Sequence, residues 1–207
     1  MDLSASTPRL RREQVAGMNI HYIMWSLDYF LDAQQRLGFK TIELWAAEPH
    51  VTLDHTGYFE ADELRRKIES RGLSVSSLCP ENVVYPWQYA ARKPLHAQRS
   101  LAYFKHGIEL AEVLGAPYMS INSGWGDWDE DREEAWKRSA EHLAILADYA
   151  GEHGVTLCME SLRPEESNLV VTLADARRML DQVASPHLTP MAVSYTHLRA
   201  HETLRHL

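Results

Sequence analysis

This chain of 207 residues contains only two cysteines, Cys79 and Cys158. A chain of this length can bury a sizeable core without covalent staples, so we expect both thiols to be reduced. Long hydrophobic runs are also missing, and no apolar stretch approaches the roughly 20 residues that span a bilayer. Residues 1–15 are too polar and Arg-rich for a signal-peptide core. The sequence therefore predicts a cytoplasmic protein with no membrane partner.

Basic residues are scarce relative to acids. Lys and Arg number 21 against 29 Asp and Glu, which gives a formal net charge of -8. Nucleic-acid-binding proteins concentrate Lys and Arg to displace counterions from phosphates, so we expect no nucleic-acid partner. A GxGxxG phosphate loop is missing after the first predicted strand. Segment 123–128 imitates that loop poorly, because its two Trp side chains would crowd a pyrophosphate.

A fourfold pattern of helix, stop and strand runs through the chain. Gly38, Gly72, Gly115 and Gly154 each close an amphipathic stretch, as a left-handed cap would, and a short apolar run follows each of them. Their spacing is close to the roughly 30 residues of one βα unit. We predict strands at 18–24, 41–45, 74–78, 118–122 and 156–160, and helices at 27–37, 61–71, 96–114, 132–152 and 173–183.

This alternation, without strand hairpins, predicts an α/β fold with a parallel sheet covered by helices. Two architectures satisfy it: an open doubly wound sheet and a closed (β/α)8 barrel. Polar residues favour the barrel, because Glu43, Glu81, Asn122 and Glu160 lie at or just past the ends of predicted strands. In a barrel those ends surround one mouth. Any one of these residues could instead be a solvated loop residue.

Glu160 is the strongest candidate for function. It ends the run Val-Thr-Leu-Cys-Met-Glu at 155–160, which is typical of a strand covered on both faces. An acid at the C-terminal end of such a strand stands where α/β proteins hold ligands or metals.

Three motifs then carry a family resemblance. They are LGFKTIELW at 37–45 with the following Pro49 and His50, CPEN at 79–82, and MESLRPEESN at 159–168. Together they resemble the sugar isomerase/epimerase family with a xylose-isomerase-like barrel, and within it the branch of fructoselysine and ketose 3-epimerases. The third motif is the most specific. The resemblance implies a (β/α)8 TIM barrel.

The resemblance also implies a divalent metal ion, commonly manganese, magnesium or cobalt, with four ligands from barrel strands five to eight. Glu160 matches the first ligand, which in the family is also one of two acid/base carboxylates. Glu166 matches a carboxylate that binds substrate hydroxyls, and His50 falls at a position near the substrate. The chemistry agrees, because a hard cation stabilises the enediolate formed beside a ketose carbonyl. Alternatively, Glu166 is a helix-entry acid and His50 a polar loop residue.

The resemblance stops near residue 192. Aligning 185–188 with the family's entry into strand six places Val193 where the family has an Asp ligand. From Val193 onward the sequence resembles the translated read-through of a transposase sequencing-library adapter. A His-rich metal-binding tail, with His197 and His201 spaced i, i+4, is the alternative.

Three regions are therefore expected. They are an N-terminal extension at 1–14, a partial barrel at 15–192 with about five βα units plus the start of strand six, and a non-native tail at 193–207.

For the intact parent we expect a metal-dependent isomerase or epimerase acting on a ketose or ketosamine. Its only expected partner is the small-molecule sugar, unless the parent is a homo-oligomer. We expect the chain as written to bind metal poorly and to be inactive, because three further ligands are missing. Alternatives are a dehydratase or aldose-ketose isomerase of the same barrel family, or a non-catalytic sugar-binding α/β domain. An apurinic-site endonuclease shares the barrel, but the acid excess disfavours a DNA-binding face.

Overall fold

The computed structural model describes residues 10–83 and 86–193. The predicted tail, apart from Val193, lies outside the described residues, as does most of the predicted N-terminal extension. In chain order the strands are β1 (Gly17–Met18), β2 (Thr41–Ala46), β3 (Leu53–Asp54), β4 (Gly57–Tyr58), β5 (Ser74–Pro80), β6 (Tyr118–Ile121), β7 (Thr156–Glu160) and β8 (Leu188–Met191).

Six of these strands form one parallel sheet. Its spatial order is β1, β2, β5, β6, β7, β8, which is the order in which they occur along the chain. A doubly wound sheet reverses its order at a switch point, whereas barrel strands follow one another around the axis. The strand order therefore decides between the two predicted architectures in favour of a partial (β/α)8 barrel.

The described residues form five α-helices, which pack with the sheet around one core. They are α1 (Leu27–Leu37), α2 (Ala61–Glu69), α3 (Pro94–Val113), α4 (Arg132–Glu152) and α5 (Leu173–Val183). Side chains fix three of the starts, because Ser26, Asp131 and Thr172 each accept a hydrogen bond from a backbone N–H of the first turn. The four predicted glycine turns are confirmed, with left-handed φ values between 67° and 77° at Gly38, Gly72, Gly115 and Gly154.

The first predicted strand, 18–24, is wrong in extent. After Gly17–Met18 the chain turns into a 3-10 helix at Asn19–Tyr22. The cause is the side chain of Asn19, which accepts from the backbone N–H of Trp45 at 2.7 Å and donates to the Trp45 carbonyl at 3.0 Å. The Asn19 amide thus takes the place of a strand backbone beside β2.

A short hairpin, β3–β4, corrects the expectation that hairpins are absent. Its two strands pair antiparallel between β2 and α2. The turn is held by Asp54 Oδ1, which accepts from the backbone N–H groups of Thr56 at 2.6 Å and Gly57 at 3.2 Å. Short Asp side chains favour turns in this way.

The main core lies between the sheet and the helices. Along β7, Leu157 and Met159 are fully buried in this core, whereas Thr156, Cys158 and Glu160 alternate with them and are partly exposed. Since successive strand residues point to opposite faces, Glu160 points into the barrel interior. Both cysteines are free, as predicted. Within the described ranges no helix is long and apolar enough to cross a membrane.

Candidate active site

Hydrogen bonds join the ends of neighbouring strands. Trp45 Nε1 on β2 donates to Glu81 Oε2, just past β5, at 2.9 Å. Asn122, just past β6, donates to the carbonyl of Asn82 at 2.7 Å and accepts from the backbone N–H of Gly124 at 2.7 Å. Glu81 and Asn122 therefore lie at strand ends as predicted, and both have partners within the fold. These hydrogen bonds fix the ends of β2, β5 and β6 relative to one another.

Glu160 and Glu43 share the barrel interior. Glu160 ends β7 and stands in register with Met191 of β8. Glu43 is the third residue of β2 rather than an end residue, which corrects its predicted place, and the register between β2 and β5 shifts beside it. Burial, and in second place the nearby charge of Glu160, raises the pKa of the Glu43 carboxyl.

Glu166 lies in the loop between β7 and α5. Its carboxylate pairs with the Arg163 guanidinium and accepts from the Arg163 backbone N–H at 3.3 Å. The hydrogen bond from Arg163 holds the pKa of Glu166 below its usual value, so this group is an ionised acceptor. The helix-entry alternative is wrong, because α5 begins only at Leu173 and Thr172 caps it. The sequence analysis missed this contact, and the spacing of Arg163 and Glu166, three residues apart, is the signal that could have predicted it.

Both ring nitrogens of His50 have partners in the protein. Asn19 Nδ2 lies 2.9 Å from His50 Nδ1, and the Trp25 carbonyl lies 2.8 Å from His50 Nε2. His50 thus links the end of β1 to the segment that carries Trp25. In this arrangement both ring nitrogens take part in hydrogen bonds within the protein.

The loops after β6 and β7 are fastened to each other. Gly126 N–H donates to Asn168 Oδ1 at 2.8 Å, and Asn168 Nδ2 donates back to the Gly126 carbonyl at 2.9 Å. Ser167 Oγ donates to the Gly124 carbonyl at 2.6 Å. We call this set the loop seam. It joins residues more than 40 positions apart, so no local pattern in the sequence could have revealed it.

The two fastened loops border an open cavity of about 460 Å³. The residues that line it include two tryptophans and four acids: Trp125, Trp128, Asp127, Asp129, Glu165 and Glu166. Glu166 therefore belongs both to this cavity and to the loop that follows Glu160.

A metal ion has a partial donor set here. Glu160 is an interior-facing carboxylate at a strand end, which suits a hard cation as one ligand. In the described parts of the chain there is no group of three or more His, Cys, Asp or Glu placed to hold a metal ion. Glu160 and Glu166 lie on one strand and its following loop, while His50 belongs to the neighbourhood of β1 and β2.

Comparison with known proteins places the chain in a family. Residues 31–200 match the family described as Xylose isomerase-like TIM barrel. The chain belongs to this family. Among curated proteins, fructoselysine 3-epimerase of Shigella flexneri is 28% identical over 162 residues. That match covers 78% of this chain and 58% of the relative, and the enzyme of the same name from Escherichia coli O157:H7 matches equally well.

Solved structures show the same xylose isomerase-like fold. An L-ribulose 3-epimerase superposes with a TM-score of 0.71 at 23% identity, covering 85% of this chain and 59% of that one. The 3-keto-D-glucoside 4-epimerase YcjR from E. coli superposes with a TM-score of 0.68 at 16% identity, covering 84% and 66%. At these identities the structures establish the barrel fold alone. The reaction has to be argued from the residues of the site.

Proposed function

We propose that the protein is a sugar isomerase or epimerase that transfers a proton beside the carbonyl of a ketose or ketosamine. The observation that carries this proposal is Glu160, an interior-facing carboxylate at the end of β7 in a xylose isomerase-like barrel. The curated relatives matched here are named as 3-epimerases. The proposal includes a cytoplasmic location and a sugar as the small-molecule partner.

Glu160 would serve as a metal ligand and as an acid/base carboxylate. A positioned carboxylate can take the proton beside a carbonyl and return it. A bound divalent ion, manganese, magnesium or cobalt, would supply electrostatic stabilisation of the enediolate charge. Epimerisation needs an acid or base on each face of the planar intermediate, so Glu160 requires a second group.

Glu166 and His50 would place the substrate. Glu166 is held ionised by Arg163, so its carboxylate oxygens can accept hydrogen bonds from sugar hydroxyls. His50 is proposed to stand near the substrate and to act by fixing the position of the Trp25 segment through its bond to the Trp25 carbonyl.

The 207-residue chain on its own is proposed to be inactive. It spans 58% of the length of its curated relatives. No group of three or more His, Cys, Asp or Glu among the described residues is placed to hold a metal ion. A hard cation prefers six or more oxygen ligands, so one carboxylate gives weak binding.

The test is proton exchange in a protein extended to the length of its relatives. With manganese, magnesium or cobalt in D2O, we expect deuterium to appear at the carbon beside the carbonyl of a ketose or ketosamine. Glu160→Gln should slow exchange by about 100-fold or more, as removal of a general base does. Glu141→Gln, an exposed helix acid, is the matched control. The proposal would be refuted if the extended wild type showed no exchange, or if Glu160→Gln exchanged as fast as the wild type.

A non-catalytic sugar-binding domain makes a different prediction. In that case Glu160→Gln leaves sugar affinity unchanged and no exchange occurs with any of the three metals. Measuring affinity by calorimetry alongside exchange separates the two functions.

A further inference from the structure

A second open cavity lies between the loop that precedes α3 and the loop that follows β6. Its volume is about 530 Å³, and we call it the α3 cavity. Because both loops leave the carboxyl ends of parallel strands, the α3 cavity lies at the same end of the barrel as Glu160. The residues of its lining that bear on binding are Gln88, Arg92, Lys93, Trp125, Asp127 and Glu130.

The side chain of Gln88 points a free donor into the α3 cavity. Gln88 is only 7% exposed. Its Oε1 accepts from the backbone N–H groups of Ala90 at 2.9 Å and Trp125 at 3.4 Å, which fixes the orientation of the amide. The Nε2 group therefore lies on the other side, toward the cavity, and it has no acceptor among the described residues. A buried amide nitrogen without an acceptor is costly, so this group requires a partner from the cavity.

The start of α3 adds a second free donor. The N-cap residue Lys93 makes no side-chain cap, and the first turn of α3 contains no acid. In the part of the chain that the structure describes, the backbone N–H of Leu95 has no acceptor. Unpaired N–H groups give the start of a helix a partial positive charge. Together with the Gln88 amide, this helix start favours a negatively charged ligand.

Both acids that line the α3 cavity have guanidinium partners. The Glu130 side chain is 7% exposed and pairs with Arg138, and Glu130 Oε1 accepts from the backbone N–H of Asp127 at 2.9 Å. The carboxylate of Asp127 lies 3.7 Å from Arg92 Nη1. The negative charges of the lining are therefore largely compensated within the protein.

Lys93 supplies a positive charge that the fold does not use. It is exposed and lines the cavity, and within residues 10–83 and 86–193 no acid pairs with its ammonium group. A third acid near Arg92, Asp129, lies 3.5 Å from Arg92 Nη1, but its side chain is 84% exposed. Water and salt screen a charge that is so exposed. The α3 cavity thus has an excess of positive charge close to two unpaired N–H donors.

A phosphate group matches these donors. Its terminal oxygens accept several hydrogen bonds, and helix starts are well suited to bind it. We propose that the α3 cavity binds a phosphate group, whose oxygens accept from Gln88 Nε2, the Leu95 N–H and the Lys93 ammonium. The group belongs either to a phosphorylated sugar or to free inorganic phosphate. This site does not depend on the reaction proposed for Glu160.

The test measures binding to the 207-residue protein and needs no turnover. The probes are inorganic phosphate, fructose 6-phosphate, fructose and acetate, followed by calorimetry and by NMR of the Gln88 side-chain and Leu95 backbone N–H signals. Phosphate should bind saturably and shift both signals, and added salt should weaken it. Acetate, with two oxygens instead of three or more, should bind about fivefold more weakly, and fructose should shift neither signal.

The two phosphate probes distinguish the sources of the ligand. If fructose 6-phosphate binds about tenfold more tightly than inorganic phosphate, the site holds the phosphate of a sugar, because the sugar adds contacts of its own. If the two bind equally well, the site holds free phosphate.

Variants assign the binding to the α3 cavity. Lys93→Gln should weaken phosphate binding about tenfold, as loss of a charged donor does. Gln88→Glu keeps the acceptor for Ala90 but replaces the free N–H group with an anionic oxygen, so it should also weaken binding. Asp127→Asn removes a nearby negative charge and should tighten it. Lys40→Gln, an exposed lysine at the opposite end of β2, is the matched control.

Absence of saturable phosphate binding would overturn the inference. So would unchanged affinity in a folded Lys93→Gln, or an equal loss of affinity in Lys40→Gln, which would indicate attraction to the surface in general. Circular dichroism shows whether each variant is folded. If Gln88→Glu fails to fold, Lys93→Gln and Asp127→Asn decide through their opposite effects.

Discussion

The side-chain amide of Asn19 decides which nitrogen of His50 carries the proton. Asn19 Oδ1 accepts from the Trp45 backbone N–H at 2.7 Å, so its Nδ2 is the atom that faces His50 Nδ1 at 2.9 Å. His50 Nδ1 must therefore accept, and Nε2 carries the hydrogen that it donates to the Trp25 carbonyl. One amide group thus joins the ends of β1 and β2 to the Trp25 segment.

Asn19→Asp should break this arrangement. The aspartate keeps the acceptor for Trp45 but loses the N–H groups that reach the Trp45 carbonyl and His50. We expect a loss of roughly 1–3 kcal/mol in the free energy of unfolding, because buried acceptors lose their donor. Urea denaturation above pH 7 measures it. Nitrogen NMR of the wild type should show His50 protonated at Nε2, and a proton at Nδ1 instead would contradict the assignment.

Glu43→Gln should stabilise the protein at high pH. Burial raises the pKa of Glu43 in the folded state, so the folded protein holds its proton more tightly than the unfolded chain does. The native carboxyl therefore costs no stability below its unfolded pKa, and costs progressively more as the pH rises to its folded pKa. Glutamine removes this cost.

Urea unfolding of wild type and Glu43→Gln at several pH values tests this difference. The two curves should differ near pH 8 and converge near pH 4, about where an unfolded Glu titrates. A constant difference at every pH would show that the glutamine acts through packing rather than through charge.

Both cysteines should react slowly in the native protein. Burial raises the pKa of Cys79 to about 12 and that of Cys158 to about 11. Because the thiolate is the reactive form, modification by a disulfide reagent near pH 8 should be at least about 100-fold slower than in urea. Mass spectrometry of the labelled peptides assigns each site. Native labelling as fast as that of the unfolded chain would contradict the raised pKa of both thiols.

Local signals predicted much of the fold. The bounds of α1, α4, α5 and β7 agree with the sequence prediction to the residue, because caps such as Ser26, Asp131 and Thr172 are encoded beside each helix. Strand β1 was overestimated because the partner of Asn19 is Trp45, which is distant in sequence. Apolar composition could not reveal that contact.

In the candidate site too, local sequence signals predicted some features, whereas contacts between distant residues could not be predicted. Glu160 could be placed at a strand end from its apolar run alone, and the structure puts it there. Glu43 was predicted at the end of a strand but lies three residues before the end of β2. Its neighbours Ile42 and Leu44 are buried in the core, so alternation along the strand predicts that Glu43 points to the opposite face, the barrel interior. The loop seam pairs Gly126 with Asn168, and such a contact has no signature of period or spacing.

The loop seam is built from main-chain groups and the short side chains of serine and asparagine, whereas the nearby Trp128 is 85% exposed and takes no part in it. Replacing the exposed indole of Trp128 would therefore change the surface between the two loops without removing any hydrogen bond beneath it, so this surface could be redesigned at little thermodynamic risk.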